Sequence, residues 1–165
     1  MLRNFFVIAL TFVSFFSYSE VNVIGLTINQ DTKRTVSEKY TIKNNESQWR
    51  WDLIPSEILI DEIKKADVSF DGETLKGVWL TLPKDKFGFF YEILRSKYPL
   101  DDESIPFVGD KYAIFEKDNV LIWIQAKHMS FDMSVVYMDK KFKEKLDKDI
   151  NETKQKHKNK VMNQL

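Results

Sequence analysis

The sequence predicts an α+β domain, with an antiparallel sheet, helices on one face of it and a long charged helix at the C-terminus. Two consecutive blocks each begin with a helical pattern and continue with several short β-type segments. The dipeptide Asp71-Gly72 joins two of these segments and is a strong signal for a two-residue hairpin of type I′, so neighbouring strands run antiparallel. Residues 139–165 repeat apolar side chains every four positions among many charges, which is typical of a helix.

The first block is expected to contain one helix and four strands. The helix runs around residues 31–39, with Asn29 or Asp31 as its N-cap. Between the second and third strands, SEILIDEIKK fits either a short helix or an edge strand, because Pro55 ends the strand before it. The four strand segments are rich in β-branched and aromatic residues and read KYTIK, WRWDLI, ADVSF and LKGVWLTL.

The second block repeats this order. Pro83 suits a first helical turn, and apolar residues at spacings of three and four predict an amphipathic helix on the sheet: Phe87, Phe90, Tyr91, Leu94 and Tyr98. Pro99 stops this helix, and PLDDESIPFVGDK is expected to form an acidic loop. Three adjacent acids cannot all face one cation, which favours a solvated loop over a metal site. The strands KYAIFE and VLIWIQA follow, joined by a Lys117-Asp118-Asn119 turn.

Residues 127–138, KHMSFDMSVVYM, combine one of two histidines with three of five methionines, a composition that also suits a copper or zinc site. In a strand, alternation would place the methionines at 129 and 133 on one face, with Phe131, Val135 and Tyr137, and His128 on the other. Side chains on opposite faces cannot bind one ion. We therefore expect Met129 and Met133 in the core, His128 at the surface or a strand end, and no metal site.

The first nineteen residues have the organisation of a secretory signal peptide. A charged start precedes the apolar run 5–16, and small residues allow cleavage after Ser19. This run is shorter than the roughly 20 residues that span a bilayer, so a membrane anchor is the weaker interpretation. The sequence has no cysteine, which excludes disulfides, a Cys-zinc site and a thiol nucleophile. We expect a periplasmic protein with one domain over residues 20–138 and a charged helix over 139–165.

The distribution of charge and the absence of known catalytic motifs exclude several classes of function. Residues 20–138 carry 15 basic and 20 acidic residues, and residues 139–165 carry nine lysines and five acids. An acidic body disfavours nucleic-acid binding. The sequence lacks a nucleophile elbow, a P-loop, a dinucleotide fingerprint and an HExxH motif, so we predict neither catalysis nor a cofactor. This favours an exported binding or scaffolding protein; the alternative is an inhibitor or immunity protein that neutralises a secreted toxin or hydrolase.

The four tryptophans are the candidate binding residues. Trp49 and Trp51 share a face with Leu53, whereas Trp79 and Trp123 alternate with aliphatic residues that resemble a core. Trp79 and Trp123 are therefore expected on the second face of the sheet. Exposed indoles there would anchor a partner. The alternative is that the C-terminal helix covers this face.

The stretches DVSFDGETLKGVWLTLPKDKFGFFYEILRSKYP and KYAIFEKDNVLIWIQAKHMSFDMSVVYM, with Gly25-Leu26 before a polar helix, resemble small periplasmic proteins of Gram-negative bacteria. The helix-then-sheet repeats of those proteins are similar to the β-lactamase-inhibitor-protein fold and to the small lipoprotein of the outer-membrane assembly machinery. The resemblance covers roughly residues 21–138, and the lipobox cysteine of the lipoprotein branch is absent. It implies a binding or scaffolding role in the cell envelope, with an envelope protein as the partner, and it implies no catalytic residues.

Overall fold

The computed structural model describes residues 20–45 and 49–164, which form ten strands and three helices. The predicted signal peptide, residues 1–19, lies outside the described residues. The elements in chain order are β1 Asn22–Val23, β2 Leu26–Thr27, α1 Lys33–Lys39, β3 Ile42–Asn44, β4 Arg50–Leu53, β5 Lys65–Asp71, β6 Thr74–Pro83, α2 Phe87–Lys97, β7 Leu100–Ser104, β8 Lys111–Lys117, β9 Val120–Ala126, β10 Asp132–Asp139 and α3 Lys140–Met162.

Eight of these strands form one antiparallel sheet in the order β3-β4-β5-β6-β10-β9-β8-β7. Each block contributes one helix and then four consecutive strands, so the predicted α+β fold of two helix-then-strands blocks is confirmed. The last strands of the two blocks, β6 and β10, pair at the centre, from Gly77 opposite Met138 to Pro83 opposite Asp132. β1 and β2 form a separate small hairpin.

The first face of the sheet carries the main core. Val36 of α1 and Phe87, Tyr91 and Leu94 of α2 are buried there against alternating sheet residues such as Phe115. The amphipathic pattern of the second block thus produces the helix that it predicts, and α2 ends at Lys97, before Pro99. While α1 and α2 lie on this first face, α3 begins on the opposite one.

Two turns differ in detail from their sequence signals. The β5–β6 hairpin is confirmed, but Asp71 pairs with Thr74, so the loop residues are Gly72 and Glu73. Gly72 has a positive φ of 59° and Glu73 does not, which is the pattern of type II′ and not of type I′. The two positive φ angles of a type I′ turn occur at Asp118 (50°) and Asn119 (63°), between β8 and β9.

The N-cap of α1 is Thr32, and neither Asn29 nor Asp31 takes this position. The Thr32 side chain accepts a hydrogen bond from the Thr35 N–H, and the Thr35 hydroxyl accepts one from the Thr32 N–H. The expected residues are used elsewhere. Asp31 accepts a hydrogen bond from the backbone of Thr27 at 2.7 Å, and Asn29 donates to Asp139 at 3.0 Å.

Two segments differ from the structure that the sequence predicts for them. SEILIDEIKK is helical only at its start, where Ser56 and Glu57 belong to a 3₁₀ helix at Pro55–Glu57; irregular turns follow, and Lys65 begins β5. The expectation of a loop after Pro99 is wrong for Leu100–Ser104, which pairs with β8 as the edge strand β7. An edge strand tolerates a row of acids because its side chains remain largely in water.

The segment KHMSFDMSVVYM is a strand only from Asp132, where pairing with Pro83 begins. Met129 and Phe131 therefore lie in the preceding loop and are exposed, so their prediction as core residues is wrong. Met133 is buried, as expected. His128 is exposed in the same loop, in agreement with the surface position expected for it.

Candidate binding groove on the second face of the sheet

The N-terminal turns of α3 pack on the second face of the sheet. Asp139 caps the helix by accepting a hydrogen bond from the Phe142 N–H at 2.9 Å. Phe142 is buried against Val136 and Met138 of β10. An ion pair of 2.8 Å between Lys145 and Asp71 fastens the helix to the β5–β6 hairpin. The part of α3 up to about Leu146 is thus a docked helix, and residues 151–162 are exposed throughout.

Trp79 and Trp123 lie on this second face, as the alternation of their strands predicts. Both are partly buried and pack against the small cluster of Val136, Met138 and Phe142. The C-terminal helix therefore covers part of each indole and leaves the rest accessible. The two expectations for this face, an exposed indole surface and a helical cover, each describe part of the structure.

The other two tryptophans occupy different environments. Trp51 is partly buried against the first-face core, with its ring centroid 4.8 Å from that of Phe70. Trp49 lies just before β4 and exposes 44% of its surface. Trp49 and Trp79 line the same cavity.

This cavity, which we call the tryptophan groove, has a volume of about 770 Å³ and lies between the hairpin end of the sheet and α3. Its apolar lining consists of Trp49, Trp79, Phe70, Phe142, Leu146 and Ile150. Charged side chains on both walls complete it: Lys33, Arg50, Asp71, Lys145, Asp149 and Lys154. Trp123 lies in a separate cavity of about 210 Å³ beside Lys143. The structure thus joins Trp49 with Trp79 and separates Trp51 and Trp123 from them.

A charged network holds Trp79 in place. The guanidinium carbon of Arg50 is 5.0 Å from the centroid of the Trp79 ring, a cation–π distance. Arg50 also donates to the buried carboxylate of Asp67 at 2.8 Å, and Lys65 lies 2.9 Å from the other oxygen of that carboxylate. The Asp67 carboxylate therefore holds the Arg50 guanidinium in position, and this guanidinium in turn contacts the Trp79 ring.

Asp52 and Asp67 are cross-strand partners, and their pKa values move in opposite directions. Burial raises the pKa of Asp67, but hydrogen bonds with Asp52, Lys65 and Arg50 outweigh it, so this pKa lies below its ordinary value. The hydrogen bond to Asp67, then partial burial, raises the pKa of Asp52. The pair therefore prefers one negative charge, on Asp67, next to the two cations.

Gly77 gives Trp79 the room to lie close to the sheet. A Cβ atom at Gly77 would come within 2.7 Å of the Ser69 hydroxyl, 3.2 Å of the Tyr137 carbonyl and 3.3 Å of the Trp79 ring. Any larger residue would have to displace the Ser69 hydroxyl, and the Tyr137 carbonyl and the Trp79 indole would also have to move slightly. The Ser69 hydroxyl beneath it is buried and makes no hydrogen bond with any described residue.

The sequence interpretation missed Arg50, Asp67 and Gly77 as supports of the groove. Alternation in WRWDLI and ADVSF places Arg50 and Asp67 on the face opposite Leu53 and Val68, and two opposite charges on inner strands are a signal of pairing. The sequence does not show that these two strands, β4 and β5, are neighbours in the sheet.

Over residues 20–45 and 49–164, no group of three or more His, Asp or Glu side chains is arranged to hold a metal ion. Within the same residues, no helix combines the length and the apolar character needed to cross a membrane. Comparisons of the chain with protein-family models, with curated proteins and with solved structures find no match.

Proposed function

We propose that this protein is an exported, non-catalytic binding protein of the cell envelope that holds a partner protein in the tryptophan groove. The observation that carries the proposal is the pairing of two partly exposed indoles, Trp49 and Trp79, in one cavity of about 770 Å³. Indoles supply a large apolar area and one N–H donor, and ordering them costs little entropy. Export is supported by the signal-peptide organisation of residues 1–19.

The groove suits a polypeptide segment with an apolar side chain flanked by charges. Its floor accepts the apolar side chain, and Lys33 and Lys154 on one hand and Asp149 on the other offer both signs of charge for the flanking groups. Trp79 is already fixed by Arg50 and by the close fit over Gly77. A partner would therefore bind without having to order this side chain, which favours affinity.

The alternative function is inhibition or immunity against a secreted toxin or hydrolase. The excess of acids over bases in residues 20–138 supports it, since an acidic body attracts a basic enzyme. The exposed acids of β7, Asp101 to Glu103, add to this field at one edge of the sheet. The relation to the β-lactamase-inhibitor-protein fold also stays a proposal, and it rests on the repeated order of a helix followed by strands.

Affinity capture from envelope extract tests the groove when it is carried out with matched variants. We expect Trp49→Ala to lose a stoichiometric partner that wild type and Trp123→Phe retain, because Trp123 lies in a different cavity. The captured partner should also reduce iodide quenching of tryptophan emission in wild type and not in Trp49→Ala. Equal capture by Trp49→Ala would contradict the proposal. A basic enzyme as partner, with activity lost on binding, would select the inhibitor function.

A further inference from the structure

The two ends of the sheet differ in their connections. At one end, tight turns at Gly72-Glu73 and Asp118-Asn119 join the strands. At the other end, which we call the loop end, longer loops span residues 54–64, 105–110 and 127–131. The loop end also contains the start of α2, because β6 ends at Pro83 opposite the start of β10.

Large apolar side chains project from two neighbouring loops of this end. Phe107 is 99% exposed, Phe131 is 93% exposed and Met129 is 90% exposed. We call these side chains, with Ile105 and Val108, the apolar tips. Apolar patches of this kind on a folded protein mark an interaction surface, because leaving such side chains in water forgoes the free energy of burying them.

The backbone of loop 127–131 is held firmly to the body while its side chains point outward. The His128 N–H donates to the Asp110 carboxylate at 2.7 Å, which joins the two loops. The Lys84 amino group donates to the carbonyls of Lys127 and His128 at 2.6 and 2.8 Å. The Lys84 N–H also donates to the Phe131 carbonyl at 2.9 Å. The exposure of Met129 and Phe131 is therefore built into a hydrogen-bonded loop.

Lysines lie beside the apolar tips, together with a smaller set of acids that face α2 or the loop backbone. Lys111 and Lys127 flank the two loops, and neither forms an ion pair with a carboxylate among residues 20–45 and 49–164. Lys84 lies beside them, with its amino group hydrogen-bonded to the carbonyls of Lys127 and His128. Asp110 is engaged by the His128 N–H. Asp85 and Glu92 line the α2 side of a cavity of about 810 Å³, which Ile105 and Phe131 of the apolar tips also line.

We propose that the loop end docks on the surface of an anionic lipid bilayer, with the apolar tips in the interface and Lys111 and Lys127 at the phosphate groups. Apolar side chains that protrude separately can enter the interface of a lipid bilayer, whereas a protein partner would need a matching pocket for each of them. Lysines beside such side chains gain from anionic headgroups. A second copy of the chain would place the same two lysines near one another, which disfavours that occupant. This inference does not rest on the tryptophan groove.

Vesicle sedimentation tests the proposal. Wild type should bind strongly to vesicles that contain equal amounts of phosphatidylcholine and phosphatidylglycerol. It should bind much more weakly to vesicles of phosphatidylcholine alone. The double variant Phe107→Ser/Phe131→Ser should bind the anionic vesicles at least roughly tenfold more weakly, since two aromatic side chains no longer enter the interface. Lys111→Gln and Lys127→Gln should each weaken binding about fivefold and reduce the preference for anionic lipid. All forms carry the same N-terminus, so residues 1–19 contribute equally.

The matched control is Val161→Ser/Met162→Ser, which removes two exposed apolar side chains from α3 and should leave vesicle binding unchanged. Thermal unfolding by circular dichroism verifies that each variant folds. As an independent reading, Phe131→Trp should add a tryptophan emission that shifts to the blue on anionic vesicles. Failure of wild type to bind, or equal binding by the Phe107→Ser/Phe131→Ser variant, would overturn the proposal. Self-association lost in that variant, without vesicle binding, would assign the surface to a second copy instead.

Discussion

The two faces of the sheet come from the same strands and bury their side chains in different ways. On the first face, α1, α2 and the β1–β2 hairpin cover the core, and Phe115 and Ile122 have no exposed surface. On the second face, apolar residues cluster around Val136 and Met138, where α3 crosses. Beyond the helix this face becomes polar and partly exposed, with Thr81, Ser134 and Gln125.

The difference follows from how much apolar surface each covering helix supplies. α2 buries three side chains on the first face, whereas α3 buries Phe142 and half-buries Leu146 before its apolar residues become exposed. A single docked turn covers a narrow strip of sheet. The second face therefore retains a cavity and a charged network, and we expect the first face to supply most of the stability and the second the binding.

The largest expected effect is on the first face. Replacing Phe115 with Ala should lower the free energy of unfolding by about 3–5 kcal/mol, since it removes a fully buried ring and leaves a cavity. Urea denaturation measures this. The matched control is Ile114→Ala, the neighbouring residue on the second face, which is partly exposed and should cost about 1 kcal/mol. Equal costs at both positions would show that the two faces contribute alike.

The next effect concerns the contact between α3 and the sheet. Phe142→Ala should lower the free energy of unfolding by about 2 kcal/mol, less than a central core ring because one helix turn provides the cover. Tryptophan emission should shift to the red and become more sensitive to iodide, since Trp79 and Trp123 lose a neighbour. Phe89→Ala, at an exposed aromatic residue of α2, is the control and should change neither quantity. An unchanged emission in Phe142→Ala would contradict this docking of α3.

A smaller effect, which depends on pH, should arise in the charged network. Asp67→Asn should lower the free energy of unfolding at neutral pH by about 1–2 kcal/mol, because Arg50 and Lys65 lose their shared carboxylate. The pKa of Asp67 is lowered in the folded protein, so its contribution is present above the ordinary value of 3.8 and is lost as pH falls through the folded pKa. The cost of Asp67→Asn should therefore shrink in acid.

The comparison variant for the network is Asp52→Asn. The pKa of Asp52 is raised, so ionising it beside Asp67 costs stability as pH increases, and removing its charge should stabilise the protein at neutral pH. Urea titrations of both variants across the acidic range check these opposite signs. Destabilisation of the same size and pH dependence in both would rule out the shared-charge arrangement.

The smallest expected effect is that of removing residues 151–165. The side chains from Asn151 to Gln164 are exposed, so their loss should change the free energy of unfolding by less than about 0.5 kcal/mol. The emission spectrum and iodide quenching should also remain close to those of wild type, because Phe142, against which Trp79 and Trp123 pack, is retained. A loss of more than about 1 kcal/mol would mean that the exposed half of α3 stabilises the fold.

The sequence by itself determined the local elements, because periodicity and turn chemistry act over a few residues. Spacings of three and four predicted α2, and alternation predicted the strands of both blocks except β7, which was expected to be a loop. The sequence could not determine the first and last residues of each strand, because a strand extends only as far as its partner strand pairs with it. Phe131 continues the alternating pattern but lies beyond Pro83, and Leu100–Ser104 becomes a strand because β8 offers it an edge.

The candidate site depended still more on tertiary structure. Alternation placed Trp79 and Trp123 on the second face, but the direction of α3 decides which indole joins Trp49 in a cavity. That direction is set by Phe142 on β10 and by the ion pair between Lys145 and Asp71, which are 74 residues apart in the chain. Contacts between residues so distant in sequence form only when the whole sheet is assembled, and no local pattern specifies them.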